Sequence, residues 1–91
     1  MSEARVRVRV RGRVQGVFFR AETAERARSL DVGGWISNEP DGSVKAVFEG
    51  ERGKLESLVA WCERGPRGAS IEAVEAEWQE PRRDVSGFTV R

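Results

Sequence analysis

Residues 5–11 read RVRVRVR. The strict two-residue alternation puts Val6, Val8 and Val10 on one face of a strand and Arg5, Arg7, Arg9 and Arg11 on the other. Over residues 20–31 the period changes. Ala24, Ala27 and Leu30 recur at helical spacing, with Glu22, Glu25, Arg26 and Arg28 outside them. Small alanines on the inner face let such a helix lie close to a sheet, and Gly33-Gly34 punctuates its end. WISN, residues 35–38, predicts a short strand. NEPDG predicts a turn, with Pro40 fixing φ and Gly42 supplying a positive φ. SVKAVFE, residues 43–49, reads as the hairpin partner of WISN. Leu55, Leu58, Val59 and Cys62 then fall at i, i+3, i+4 and i+7, a second amphipathic helix ending at Gly65-Pro66. Residues 71–79 alternate again, with Val74, Ala76 and Trp78 opposite Glu75, Glu77 and Gln79. GFTVR, residues 87–91, predicts a short fifth strand.

The order is therefore β-α-β-β-α-β with a strand appended. This is the split β-α-β, ferredoxin-like pattern of the α+β class, with an antiparallel sheet and both helices on one face. The valines of the first strand are expected to face the helices. Residues 1–91 read as one domain, without internal repeat, linker or low-complexity segment.

Composition narrows the chemistry. Hydrophobic residues make up 38% and charged residues 34% of the 91, an ordinary globular balance, and the formal net charge is +1. No bulk attraction to nucleic acid or anionic membrane follows from that charge. There is no histidine, which removes histidine general bases and nearly every zinc-site design. Cys62 is the only cysteine, so no intramolecular disulfide forms. It lies on the apolar face of the second helix, where a buried, inert thiol is the ordinary case. The start, MSEARVRV, has no apolar signal-peptide core, and a cytoplasmic location is expected. The basic residues are lopsided, with 14 arginines against Lys45 and Lys54. A stripe of four arginines on a ferredoxin-like sheet invites an RNA-binding reading. That mode needs stacking aromatics on the central strands, and this chain offers arginines, Lys45, Val47 and Glu49 there. Fourth-strand glutamates Glu75 and Glu77 beside the first strand make cross-strand Arg–Glu pairing the simpler account.

RVQGVFFR, residues 13–20, raises the functional question. A turn needs the glycine and a core needs the phenylalanines, but neither accounts for Arg20. A tight loop running into a helix N-terminus leaves amides without intrahelical partners. If Gly16 lets the loop curl, those amides converge on an anion, the helix dipole adds to the attraction, and Arg20 closes the cradle with a forked donor. A plain connecting loop, with a phenylalanine under the helix and Arg20 in solvent, fits the same residues. The loop is not a Walker A, since no Gly-Lys-Ser/Thr follows. Asn38, taken alone, is a natural turn residue.

VRGRVQGVFFR, residues 10–20, closely resembles the first signature of the acylphosphatases. GWISNEPDGSVKAVFEG, residues 34–50, resembles the second, with Gly-Trp, Asn38, Gly42, Val44 and Gly50 in register. The resemblance to the small common-type family spans almost the whole chain. It implies hydrolysis of a carboxyl–phosphate anhydride to a carboxylate and phosphate. It implies that the loop amides of Gln15, Gly16, Val17, Phe18 and Phe19, with Arg20, bind the phosphoryl group, and that Asn38 positions the attacking water. It implies no metal or organic cofactor and a small acyl phosphate as the partner; no nucleic acid or membrane partner is expected, and a monomer is expected. A non-catalytic phosphate-binding module sharing the loop and Arg20 is the alternative, and it needs no Asn38. Three positions depart from the pattern: Ser37 where a basic residue is common, Ile36 where valine or a smaller residue is common, and Asp31 where a glycine frequently ends the first helix. Trp35, Trp61 and Trp78 are expected to pack rather than to stack on substrate.

Overall fold

The computed structural model describes residues 2–91. Along the chain lie β1 (Glu3–Arg13), α1 (Phe19–Ser29), β2 (Gly33–Asn38), β3 (Val44–Glu51), α2 (Arg52–Arg64), β4 (Ser70–Gln79) and β5 (Phe88–Val90). They build one five-stranded sheet in the order β4-β1-β3-β2-β5. Val6, Val8 and Val10 of β1 are at most 1% exposed. They meet Phe19, Ala24 and Ala27 of α1 and Leu55, Leu58 and Cys62 of α2 in one core. Burial on that scale is the dominant stabilising term in a domain of this size. The alanines of α1 do what their size predicts and bring the helix close to the sheet. Burial pushes the Cys62 thiol up to about 12, which keeps it protonated and inert.

The expectation of a wholly antiparallel sheet needs correction. β1, β2, β3 and β4 pair antiparallel, but β5 runs parallel to β2, with Gly34 opposite Phe88 and Ile36 opposite Val90. The reason is directional. β4 ends at the end of the sheet where β2 begins, so a chain crossing from one sheet edge to the other must re-enter alongside β2 in the same sense. The first strand is also longer than its alternation, because pairing with β3 and β4 extends it to both sides. Close to its end the register shifts between Arg11 and Gly12. Gly12 has φ +128, and a β-carbon there would lie 2.1 Å from the Ser70 carbonyl oxygen, so only glycine fits this bulge.

The arginine stripe is paired, as expected, though not uniformly. Arg7 meets Glu77 at 3.0 Å and Arg11 meets Glu75 at 3.0 Å, both exposed. Arg5 is different. It is buried, bonded to Glu49 and Asp84 at 2.9 Å each, because the crossing between β4 and β5 runs over this end of the sheet face. Glu49 also accepts from the amides of Arg82 and Arg83. Burial works to raise the Glu49 pKa, but those amides and the Arg5 guanidinium outweigh it and hold the carboxyl below its ordinary value. These four hydrogen bonds clamp the crossing in place.

Helix α1 ends two residues before the sequence pattern suggests. Val32 N–H donates to Ala27 O at 2.9 Å and Asp31 N–H to Arg28 O at 3.1 Å, the paired bonds of a Schellman ending. Asp31 occupies the left-handed position of that motif, with φ +59. Glycine bears no β-carbon penalty there. We predict that Asp31→Gly stabilises the fold by about 0.5–1 kcal/mol, read as a higher urea midpoint at unchanged m-value. A lower midpoint would show that the aspartate carboxyl compensates for its own backbone.

Candidate active site

The loop at residues 14–18 joins β1 to α1, and its conformation follows from two left-handed residues. Gly16 has φ +76 and Phe18 has φ +61 with ψ 19. Between and around them the main chain curls back toward the helix start. No side chain caps α1. The first amide of that turn with an acceptor is Glu22 N–H, which donates to Phe18 O at 3.0 Å. Among the described residues, the amides of Gly16 to Ala21 make no main-chain hydrogen bond of good geometry, residues 15–16 forming only a loose turn. These donors sit at the positive end of α1, an arrangement suited to an anion.

The two phenylalanines part company. Phe19 is buried and tilts against Trp61, their ring centroids 5.2 Å apart. Phe18 points outward. Arg20, in the first turn of α1, donates from one terminal nitrogen to the main-chain oxygen of Arg91 at 2.7 Å. A guanidinium has five N–H donors, so most of its fork stays free.

Asn38 closes β2, opposite Val44 of β3, and Val44 lies opposite Val10 of β1. The hairpin turn that follows is braced from inside. Glu39 N–H donates to Ser43 O and Gly42 N–H to Glu39 O. Asp41 accepts from the Ser43 amide at 2.9 Å and its hydroxyl at 2.6 Å. The Ser43 bonds, seconded by Arg9 and Arg11, hold the Asp41 carboxyl below its ordinary pKa. Ser37 donates its hydroxyl to Glu39 at 3.0 Å. Ile36 is fully buried.

A cavity of about 290 Å³ opens between loop and hairpin, lined by Val14, Gly16, Phe18, Phe19, Arg20, Ala21, Asn38 and Val90. It brings together four of the six expected phosphate-binding residues and Asn38, whose side-chain amide is exposed and without a recorded partner among the described residues. Gln15 and Val17 do not line it. Val17 turns to the far side of the loop. The Gln15 side chain instead bridges to the hairpin, its amide nitrogen donating to Glu39 O and Ser43 O at 2.9 Å each. Both partners are carbonyls, so it is the nitrogen that must face them. Sequence reasoning missed this tie. The one available signal was a long amide side chain placed before the glycine of a loop. Trp35, Trp61 and Trp78 all lie outside the cavity and pack as expected. Arg91 stacks over Trp35 at 4.3 Å, Arg26 over Trp61 at 4.7 Å and Arg52 over Trp78 at 4.1 Å. Among the described residues no three carboxylate or thiol side chains cluster at metal-holding distance. No helix there is long and apolar enough to cross a membrane.

Comparison with known proteins bears on this geometry. Residues 6–90 match the acylphosphatase family model. The chain is 56% identical over 87 residues to an acylphosphatase of Rubrobacter xylanophilus, covering 96% of this chain and 79% of that one. It is 50% identical over 90 residues to an acylphosphatase of Pelotomaculum thermopropionicum, covering 99% and 98%. Among solved structures it is similar to an acylphosphatase from Coxiella burnetii, with a TM-score of 0.91 and 38% identity over 98% of this chain and 93% of that chain. An acylphosphatase from Bacillus subtilis superposes with a TM-score of 0.92 at 27% identity over 97% and 98%.

The Gln15 tie generates a prediction. In Gln15→Leu the Glu39 and Ser43 carbonyls lose a partly buried donor, at a cost of about 1–3 kcal/mol. Denaturant unfolding should register that loss, and unchanged stability would mean that water replaces the side chain.

Proposed function

The chain belongs to the acylphosphatase family and hydrolyses acyl phosphates to a carboxylate and phosphate; on that premise we propose how its own residues divide the work. The amides of Gln15 to Phe19 and the guanidinium of Arg20 hold the non-bridging oxygens of the phosphoryl group. Asn38 holds a water in line with the bond to be broken. The observation that carries the reading is the shared cavity of Arg20, Asn38 and the loop. All the residues that this reading uses come from one chain, so it calls for no partner subunit.

The chemistry suits these groups. The water oxygen forms a bond to phosphorus while the bond from phosphorus to the acyl oxygen breaks. The electron pair leaves on a carboxylate, and the water's proton passes to a phosphate oxygen or to solvent. A carboxylate is a weak base, so no general acid need protonate it. Phosphoryl transfer has a loose transition state with little bonding to the nucleophile, so a positioned neutral water serves. What remains for the protein is positioning and charge stabilisation by donors already in place. Arg20 is preoriented for this by the Arg91 oxygen.

The test is turnover of benzoyl phosphate by the purified protein. Arg20→Ala should lower the rate by about 10²–10³, roughly 3–4 kcal/mol of transition-state stabilisation. Near-normal turnover would remove Arg20 from the site. Arg20→Lys should fail as well, since a point charge lacks the planar fork. Asn38→Ala should cut kcat while inorganic phosphate still inhibits. Loss of that inhibition in a folded variant would make Asn38 a phosphate ligand instead of a water holder.

A further inference from the structure

Phe18 is 80% exposed, against 40% for Val90, the other large apolar side chain left open to solvent among the described residues. Both border the cavity of Arg20 and Asn38. A second hollow of about 320 Å³ adjoins it, lined by Val17, Phe18, Ala21, Glu22, Glu25 and Arg67. The two hollows share Phe18 and Ala21, so the ring stands on the rim between them. The Phe18 backbone is left-handed, a region uncommon for a bulky residue, and its buried neighbour Phe19 is locked against Trp61. The ring is therefore held outward and does not fold into the core.

With the phosphoryl group between Arg20 and the loop and the attacking water at Asn38, the side of the cavity that bears Phe18 is open to the acyl group. An aromatic face removed from water by a passing apolar group is a favourable contact, and an offset ring pair more so. The charges beyond the rim are two carboxylates, Glu22 and Glu25, against one guanidinium, Arg67. A second anionic group on the acyl part would meet net repulsion there.

We propose that Phe18 and the adjoining hollow form the acyl-group subsite, which favours acyl phosphates with an apolar, uncharged aryl or branched alkyl group over acetyl phosphate. The proposal rests on the reading that the phosphoryl group occupies the cavity of Arg20 and Asn38. The ring is a specificity determinant that acts by contact with the part of the substrate that does not react.

The experiment compares kcat/KM for benzoyl, acetyl and 4-carboxybenzoyl phosphate. The variants are Phe18→Tyr, which keeps a ring, and Phe18→Asn and Phe18→Gly, which lack one but tolerate the left-handed backbone. The readout is the benzoyl-to-acetyl ratio, which is internal to whatever folded enzyme remains. It should fall about tenfold in the ring-less variants and stay within about twofold in Phe18→Tyr. The wild type should prefer benzoyl to 4-carboxybenzoyl phosphate. A ratio unmoved by ring loss, with Arg20→Ala inactive toward every substrate, overturns the acyl subsite alone. Activity retained by Arg20→Ala overturns the placement of the phosphoryl group, and this proposal with it.

Discussion

One side-chain nitrogen holds the two halves of the site together. The β1–β3 ladder ends at the pair Val10–Val44. Beyond that pair the loop before α1 and the turn before β3 are separate excursions. Gln15 joins them by donating to Glu39 O and Ser43 O, the two carbonyls at the foot of the hairpin. Those carbonyls already close the turn on itself. The loop is thus fastened to a rigid partner, and Asn38, one residue before Glu39, keeps its place across the cavity from Arg20. Loop closure of this kind sets the separation of two groups that no ladder controls.

Much of the proposed anion site is main chain. Gly16 and Phe18 take positive φ there, and among the described residues no side chain caps the start of α1. Main-chain donors cannot titrate and carry no side-chain entropy to lose. They are also invisible to composition, so a net charge of +1 and the lack of histidine do not argue against the proposed anion site. In that proposal Arg20 adds a formal charge, and its remaining donors complement the amides.

The far end of the sheet contributes to the same hollow. Glu49 and Arg5 grip the crossing after β4 through the Arg82 and Arg83 amides and the Asp84 carboxylate. That crossing delivers β5 to the edge of β2, where Arg28 secures it with two bonds to Phe88 O. β5 in turn supplies Val90 on the cavity wall, and Arg91, the residue after it, offers the oxygen that meets Arg20. A buried ion pair across the sheet from the helices therefore bears on how a guanidinium is aimed. Half of the arginine stripe serves as plain cross-strand pairing with β4, and Arg5 serves this clamp.

Every strand and both helices were legible in the sequence, because alternation and helical spacing are local consequences of which face must leave water. The valines of β1 and the alanines of α1 declared their faces by period alone. The Gln15–Arg20 loop and Asn38 stood out only through the resemblance of two long motifs, since each residue by itself also fits an ordinary turn. The parallel sense of β5, the burial of Arg5, the left-handed Asp31 and the Gln15 bridge were not legible. Each depends on what lies opposite in space: where β4 leaves the sheet, which segment crosses over Glu49, and which carbonyls the hairpin presents. Period reports a residue's relation to its own element. Only the folded chain decides the distance between residues on different elements, and here that distance brings Arg20 and Asn38 to one cavity.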